Sequence, residues 1–244
     1  MYSEDVRQRA AALLRDGLSL NRTSQELGVS RATIRDWREH PERSAPPPCP
    51  APPGPSADYA ALFGFYLGDG CISRVGRAYS LRICCDARLP GIIADVERCV
   101  AAVHPERRTY LVPAPGAITV QSYWKHWPCL FPQHGPGRKH ERVLGMADWQ
   151  WAVVEQHPAA FLRGLFHSDG CRVRNWATRM VAGRKKRYDY PRWQFTNNSG
   201  EIRGWCCDAL DLVQVPWRRS NWKTIAVSRR EAVARLDELI GPKA

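Results

Sequence analysis

Two stretches one hundred residues apart constrain this chain more than anything else in it. Residues 60–71 read AALFGFYLGDGC and residues 160–171 read AFLRGLFHSDGC. They align without a gap at Leu62/Leu162, Gly64/Gly164, Asp69/Asp169, Gly70/Gly170 and Cys71/Cys171. The segments that follow correspond too. YSLRICCDAR (79–88) holds the place of PRWQFTNNSG (191–200), and each leads into an amphipathic helical pattern, about 90–103 and 199–213. Each half reads helix, strand, strand, helix, then further strand and helix. The expected fold is α+β, a pseudo-two-fold domain of two αββαββα halves at about 58–157 and 158–244, with saddle-shaped antiparallel sheets.

Each repeat opens with an apolar helix ending in Asp-Gly. Small residues at Gly64 and Gly68, and at Gly164 and Ser168, give the two helices faces that can approach closely. An acid in the last turn of a helix is locally unfavourable, because that end already carries partial negative charge. Two such acids brought together repel unless a cation lies between them. Mg²⁺ suits that position, since it takes one or two carboxylates and fills its shell with water and phosphate oxygens.

Ahead of the repeats, residues 41–57 (PERSAPPPCPAPPGPSA) hold eight prolines in seventeen positions. Such a stretch favours an extended, semi-rigid spacer over packed structure. Residues 1–40 read as a separate three-helix module. Ser3 would cap a helix ended by Gly17, a short helix would cover 19–27, and Gly28-Val29-Ser30 would turn the chain into a third over 31–39. Leu13, Leu14, Leu20, Leu27, Val29, Ile34 and Trp37 fall at core spacing. The stretch LSLNRTSQELGVSRATIRDW resembles the helix-turn-helix of bacterial DNA-binding proteins. That likeness implies that the third helix enters the major groove, with Arg31, Thr33 and Arg35 toward base edges and Arg38 near phosphate.

The segments LFGFYLGDG (62–70) and LRGLFHSDG (162–170) resemble the paired motifs of single-chain LAGLIDADG homing endonucleases. The resemblance implies that the two motif helices pack at the domain centre. Their final acids, Asp69 and Asp169, would bind catalytic Mg²⁺ or Mn²⁺, with the backbone carbonyls of Gly68 and Ser168 as auxiliary ligands. The sixth motif position, often acidic in that family, is Leu67 and His167 here. The position that orients water aligns with Cys85 in the first repeat and Asn197 in the second, and Lys139 and Lys223 are the expected basic partners. The implied activity is hydrolysis of both strands of a specific DNA duplex. Two other readings stay open within the family: a non-catalytic, DNA-binding transcription regulator built on the same fold, and an RNA maturase. The attached helix-turn-helix favours regulation, while retention of both acids favours the nuclease.

The formal net charge of +12 suits a polyanionic partner. Double-stranded DNA is the expected one, bound by a pseudo-symmetric monomer. The basic and aromatic run GRKKRYDYPRWQF (183–195) suggests hairpin strands that put Arg174, Arg184, Lys185, Lys186, Arg192 and Gln194 toward a groove, with Arg74, Arg77 and Arg82 in matching places of the first repeat. No apolar run approaches the roughly 20 residues of a membrane span. The first residues lack the pattern of a signal peptide. The expectation is a cytoplasmic, nucleoid-associated protein. Nine cysteines without a CxxC pair read as small hydrophobes. Trp124, Trp127, Trp149 and Trp151 read as packing residues. Cys129, His134 and His140 lack a fourth ligand at zinc-finger spacing.

Overall fold

The computed structural model describes residues 4–41, 49–54 and 56–243. Ser3, expected as a helix cap, and the heart of the Pro-rich stretch (42–48 and Pro55) lie outside them. The chain separates into two compact units, Met1–Pro50 and Ala51–Ala244.

The first unit holds α1 (Glu4–Arg15), α2 (Leu20–Leu27) and α3 (Arg31–Glu39). Its local chemistry follows the sequence. The Ser19 hydroxyl accepts from the Arg22 amide and the Ser30 hydroxyl from the Thr33 amide, so each serine satisfies an otherwise orphaned donor. Gly28 closes α2 at φ +63°, a left-handed backbone that glycine adopts without a steric penalty. Ala10, Val29 and Ile34 are buried, whereas Leu13, Leu14, Leu20, Leu27 and Trp37 are only half-buried, as a core this small allows.

The second unit begins with α4 (Ala57–Asp69), capped by Ser56, whose hydroxyl accepts from the Tyr59 amide. The helix therefore starts inside the segment read as spacer. There follow β1 (Gly70–Val75), β2 (Ala78–Asp86), α5 (Pro90–Val103), β3 (Thr109–Ala114) and β4 (Ala117–Trp124). The second half repeats the order with α8 (Pro158–Asp169), β5 (Gly170–Val181), β6 (Arg184–Thr196), α9 (Gly200–Leu212), β7 (Arg218–Asn221), β8 (Thr224–Val227) and α10 (Arg230–Ile240). Each half forms a four-stranded antiparallel sheet, β1-β2-β4-β3 and β5-β6-β8-β7. This is the duplicated α+β architecture expected from the repeat. In the first half the closing helical segment is split into α6 (Trp127–Leu130), a 3₁₀ turn (Lys139–Glu141) and α7 (Asp148–Gln156). Among the described residues, no helix is long and apolar enough to cross a membrane.

The core forms around α4 and α8. Residues Tyr59 to Leu67 are all buried, so α4 is apolar on every side, as a helix enclosed by others must be. Phe63, Phe65, Phe161 and Phe166 are fully enclosed, each contributing about 2–3 kcal/mol through burial of its ring. A polar group at the start of α4 is satisfied. Tyr59 donates to the Leu130 carbonyl (2.6 Å) and accepts from Gln150 (2.8 Å), tying α4 to α6 and α7. Trp127 is buried, and Trp124, Trp149 and Trp151 pack against the core. Cys85, Cys99, Cys206 and Cys207 are buried thiols, whereas Cys71, Cys84 and Cys171 are exposed.

Candidate active site and nucleic-acid interface

Close packing of the two motif helices sets the site. At Gly68, a Cβ would lie 2.6 Å from Cβ of Ser168 and 3.4 Å from Cγ of Asp169, so only glycine allows the seam to close there. Asp69 and Asp169, the last residues of α4 and α8, meet at that seam. Packed protein, and then the charge of Asp169, raise the Asp69 carboxyl to about 6, although its outer edge faces solvent. Burial also raises Asp169, opposed by a hydrogen bond from Asn197 Nδ2 to Asp169 Oδ2 at 2.6 Å. Gly68 and Ser168 immediately precede these acids in the last turns of the two helices.

A lysine covers the carboxyl end of each motif helix. Lys139, from the 3₁₀ turn, donates through Nζ to the carbonyls of Tyr66, Leu67 (2.9 Å) and Gly68 (3.2 Å). Lys243, just beyond α10, donates to the carbonyls of Phe166 (3.5 Å), Ser168 (3.1 Å) and Gly170 (2.6 Å). The Tyr66 and Phe166 carbonyls also accept from the amides of Gly70 and Gly170 that close the helices, and a cation there meets the negative end of the helix dipole. Burial lowers Lys139 to about 8, against the opposing pull of Asp169 and Asp69. Burial lowers Lys243 as well, again opposed by the two acids.

The sequence pointed to Lys139 and Lys223. Lys223 does line the cleft that holds Asp169, Asn197 and Lys139, but its Nζ lies 5.7 Å from the Trp222 ring centre. The counterpart of Lys139 in the second half is Lys243. Sequence reasoning missed it because a lone lysine two residues past a helix-ending glycine carries no periodic signal.

Strand register divides the residues expected to meet DNA between the two faces of the sheet. Pairing of Gly170 with Phe195, and of Arg172 with Trp193, puts even residues of β5 and odd residues of β6 on one face. That face is the helix side, because Arg172 and Trp193 both donate to Asp237 of α10. Arg184, Lys186, Arg192 and Gln194 occupy the opposite, open face. Arg174 and Lys185 do not. Arg174 pairs with Asp189 at 3.9 Å on the helix side, and Lys185 shares that side by register. The open face also gains Arg179, Tyr188 and Tyr190, and Asn175 donates to the Tyr190 hydroxyl at 2.8 Å. In the first sheet only Arg82 is on the open face, where it donates to the Ser73 hydroxyl at 3.3 Å. Arg74 pairs with Tyr79 on the helix side, and Arg77 sits in the β1–β2 turn. In the first unit Arg31, Arg35 and Arg38 are exposed along α3. Thr33 is half-buried, its hydroxyl 2.8 Å from that of the capping Ser30.

Residues 1–48 match the family model of the homeodomain-like domain. No curated protein sequence matches the chain. Its neighbours among solved structures are LAGLIDADG homing endonucleases and a related domain. The I-DmoI complex with DNA and Ca is 13% identical, covers 78% of this chain and 92% of its own, and has a TM-score of 0.48. The meganuclease I-AabMI bound to uncleaved DNA is 12% identical, with coverages of 74% and 82% and a TM-score of 0.46. The N-terminal LAGLIDADG domain of DUF199/WhiA is 12% identical, with coverages of 78% and 84% and a TM-score of 0.44. None of these likenesses assigns a role to a residue of this chain.

Proposed function

We propose that this chain binds a specific DNA duplex and hydrolyses its strands with Mg²⁺ or Mn²⁺ held at Asp69 and Asp169. The observation that carries the reading is the meeting of these two acids at the Gly68–Ser168 seam, each at a helix end where an unpaired acid is disfavoured. The donor set fits a hard cation: two carboxylates with the main-chain carbonyls of Gly68 and Ser168, all oxygen. The lysine ammonium groups already on those carbonyls are a second sign that the helix ends attract positive charge. When bound, such an ion polarises a phosphate oxygen and lowers the pKa of bound water.

The chain's own groups serve that chemistry as follows. Asp69 and Asp169 supply negative charge in a crowded place where it gains from a cation. Asn197 fixes the orientation of Asp169. Lys139 and Lys243 hold the helix ends rigid, and their Nζ charge attracts the phosphate of an approaching strand. Arg184, Lys186 and Arg192 on the open face of the second sheet would lie along the duplex backbone, as would Arg82 on the first. Arg31 and Arg35 on α3 would reach base edges, as helix-turn-helix residues do.

The test is selection of bound duplexes from a random pool, followed by incubation of the winners with Mg²⁺, Mn²⁺ or EDTA. Scission with metal and none with EDTA supports the reading. Tight, specific binding without scission under any metal would instead make the chain a non-catalytic DNA-binding regulator.

A further inference from the structure

The two halves place different side chains beside their acids. Gly70 pairs with Ile83 and Gly170 with Phe195, so Cys85 and Asn197, each two residues on, hold equivalent places. Asn197 is locked. Its Oδ1 accepts from the Ser199 amide at 2.8 Å, and its backbone carbonyl accepts from Arg203 at 2.6 Å, which leaves Nδ2 aimed at Asp169. Cys85 is 6% exposed, and among the described residues its thiol finds only the Ile83 carbonyl, at 4.0 Å. Among the described residues no side chain donates to Asp69. The nearby Asp86 cannot serve as a donor to Asp69, because its pairing with Arg88 keeps it ionised and an ionised carboxylate only accepts. The backbone enforces the difference. β2 stays paired to β4 through Cys85 and Asp86, whereas β6 ends at Thr196 and releases Asn197 into the turn that caps α9.

Asp169, Asn197 and Lys139 line one cleft, and Asp69, Cys85 and Lys243 line another. We propose that these two pockets are unequal cation sites, the first the stronger and the second the weaker. The duplex is then cut one strand ahead of the other. This rests on the endonuclease reading above. A carboxylate held by a fixed amide donor is pre-oriented toward its ligand. A thiol is too weak a donor to do the same, so Asp69 must be ordered when the cation binds.

The experiment has two arms, each with the full-length native protein and Asn197→Ala. In the first, Mn²⁺ is titrated by calorimetry and by electron paramagnetic resonance without DNA. Native protein should show two affinities about tenfold apart, in keeping with loss of an outer-shell partner. Asn197→Ala should loosen the tighter site until the two converge. Two equal affinities in native protein overturn the proposal. In the second arm, a supercoiled plasmid with the selected site is followed with each strand end-labelled. Nicked circle should precede linear DNA, and Asn197→Ala should slow the faster strand selectively. Equal strand rates overturn the proposal while leaving the endonuclease reading intact. If native protein binds the site and cuts neither strand, the endonuclease reading fails, and with it the strand-order claim. The Mn²⁺ titration then decides whether the pockets themselves differ.

Discussion

Gly64 and Gly164 face each other across the α4–α8 seam with no room for a side chain on either. A Cβ on Gly64 would lie 2.8 Å from the Leu165 amide nitrogen, and one on Gly164 would lie 2.7 Å from that of Phe65. The obstacle is backbone, which cannot rotate away. Gly64→Ala or Gly164→Ala should therefore destabilise the second unit by about 3 kcal/mol, the upper end for overpacking. Gly204, on α9, is the control, since a Cβ there meets nothing within 4 Å. Gly204→Ala should stabilise by about 0.5–1 kcal/mol through helix propensity. Urea denaturation of the three variants would show both signs, and equal effects at Gly64 and Gly204 would contradict the packing described.

The face assignment of the β5–β6 hairpin has its own test. Arg184→Ala with Lys186→Ala removes two charges from the open face. It should flatten the dependence of log affinity on log salt by about 1.8, since each phosphate contact contributes about 0.9. Arg174→Ala with Lys185→Ala removes the same charge from the helix side and should change the slope far less. Equal slopes for the two double variants would mean that the hairpin does not present one face to DNA.

Asp69→Asn and Asp169→Asn keep side-chain volume and remove charge. Duplex affinity should hold or rise, because repulsion of phosphate falls. Strand scission should drop by about 10² or more, as when electrostatic stabilisation of a transition state is lost. Quantitative cleavage by both variants would separate the acids from catalysis.

Asp237 ties α10 to the second sheet, and its acid response has a definite sign. Burial alone would raise its carboxyl, but hydrogen bonds from Arg172 and Trp193 outweigh that and hold it below the ordinary range. The folded state thus binds that proton less readily than the unfolded chain. The resulting stability is present above the unfolded carboxylate pKa of about 4 and is lost as pH falls through the folded value. Asp237→Asn should lower stability at pH 7 and shrink the loss seen on acidification below about pH 4. Denaturation curves across pH 2–7 would check this, and an unchanged acid limb would remove Asp237 from the account.

The helix-turn-helix should add affinity without supporting the fold of the second unit. A fragment spanning 56–244 retains the Ser56 cap of α4 and should unfold cooperatively. Its footprint on selected DNA should be shorter and its affinity lower than those of the whole chain, as expected when one of two linked binding modules is removed. A fragment that fails to fold would make the first unit part of the same cooperative structure.

What the sequence by itself determined was whatever is written locally or repeats. The matched Asp-Gly ends located both motif helices and the acids at their tips. Serines at 19, 30 and 199 and the glycine at 28 placed helix boundaries to within a residue, because caps and left-handed turns depend on neighbours a few positions away. Tertiary structure alone decided three things. It brought Lys243, distant in sequence, onto the carbonyls that end α8. It fixed which side of the hairpin each basic residue faces, because the two-residue turn at Ala182-Gly183, with φ of 50° and 75°, sets a register in which one step exchanges the faces. It also turned the aligned pair Cys85 and Asn197 into different environments, one still in a strand and the other in a helix cap. Local chemistry can be read from spacing along the chain, whereas these contacts depend on long-range pairing that spacing does not encode.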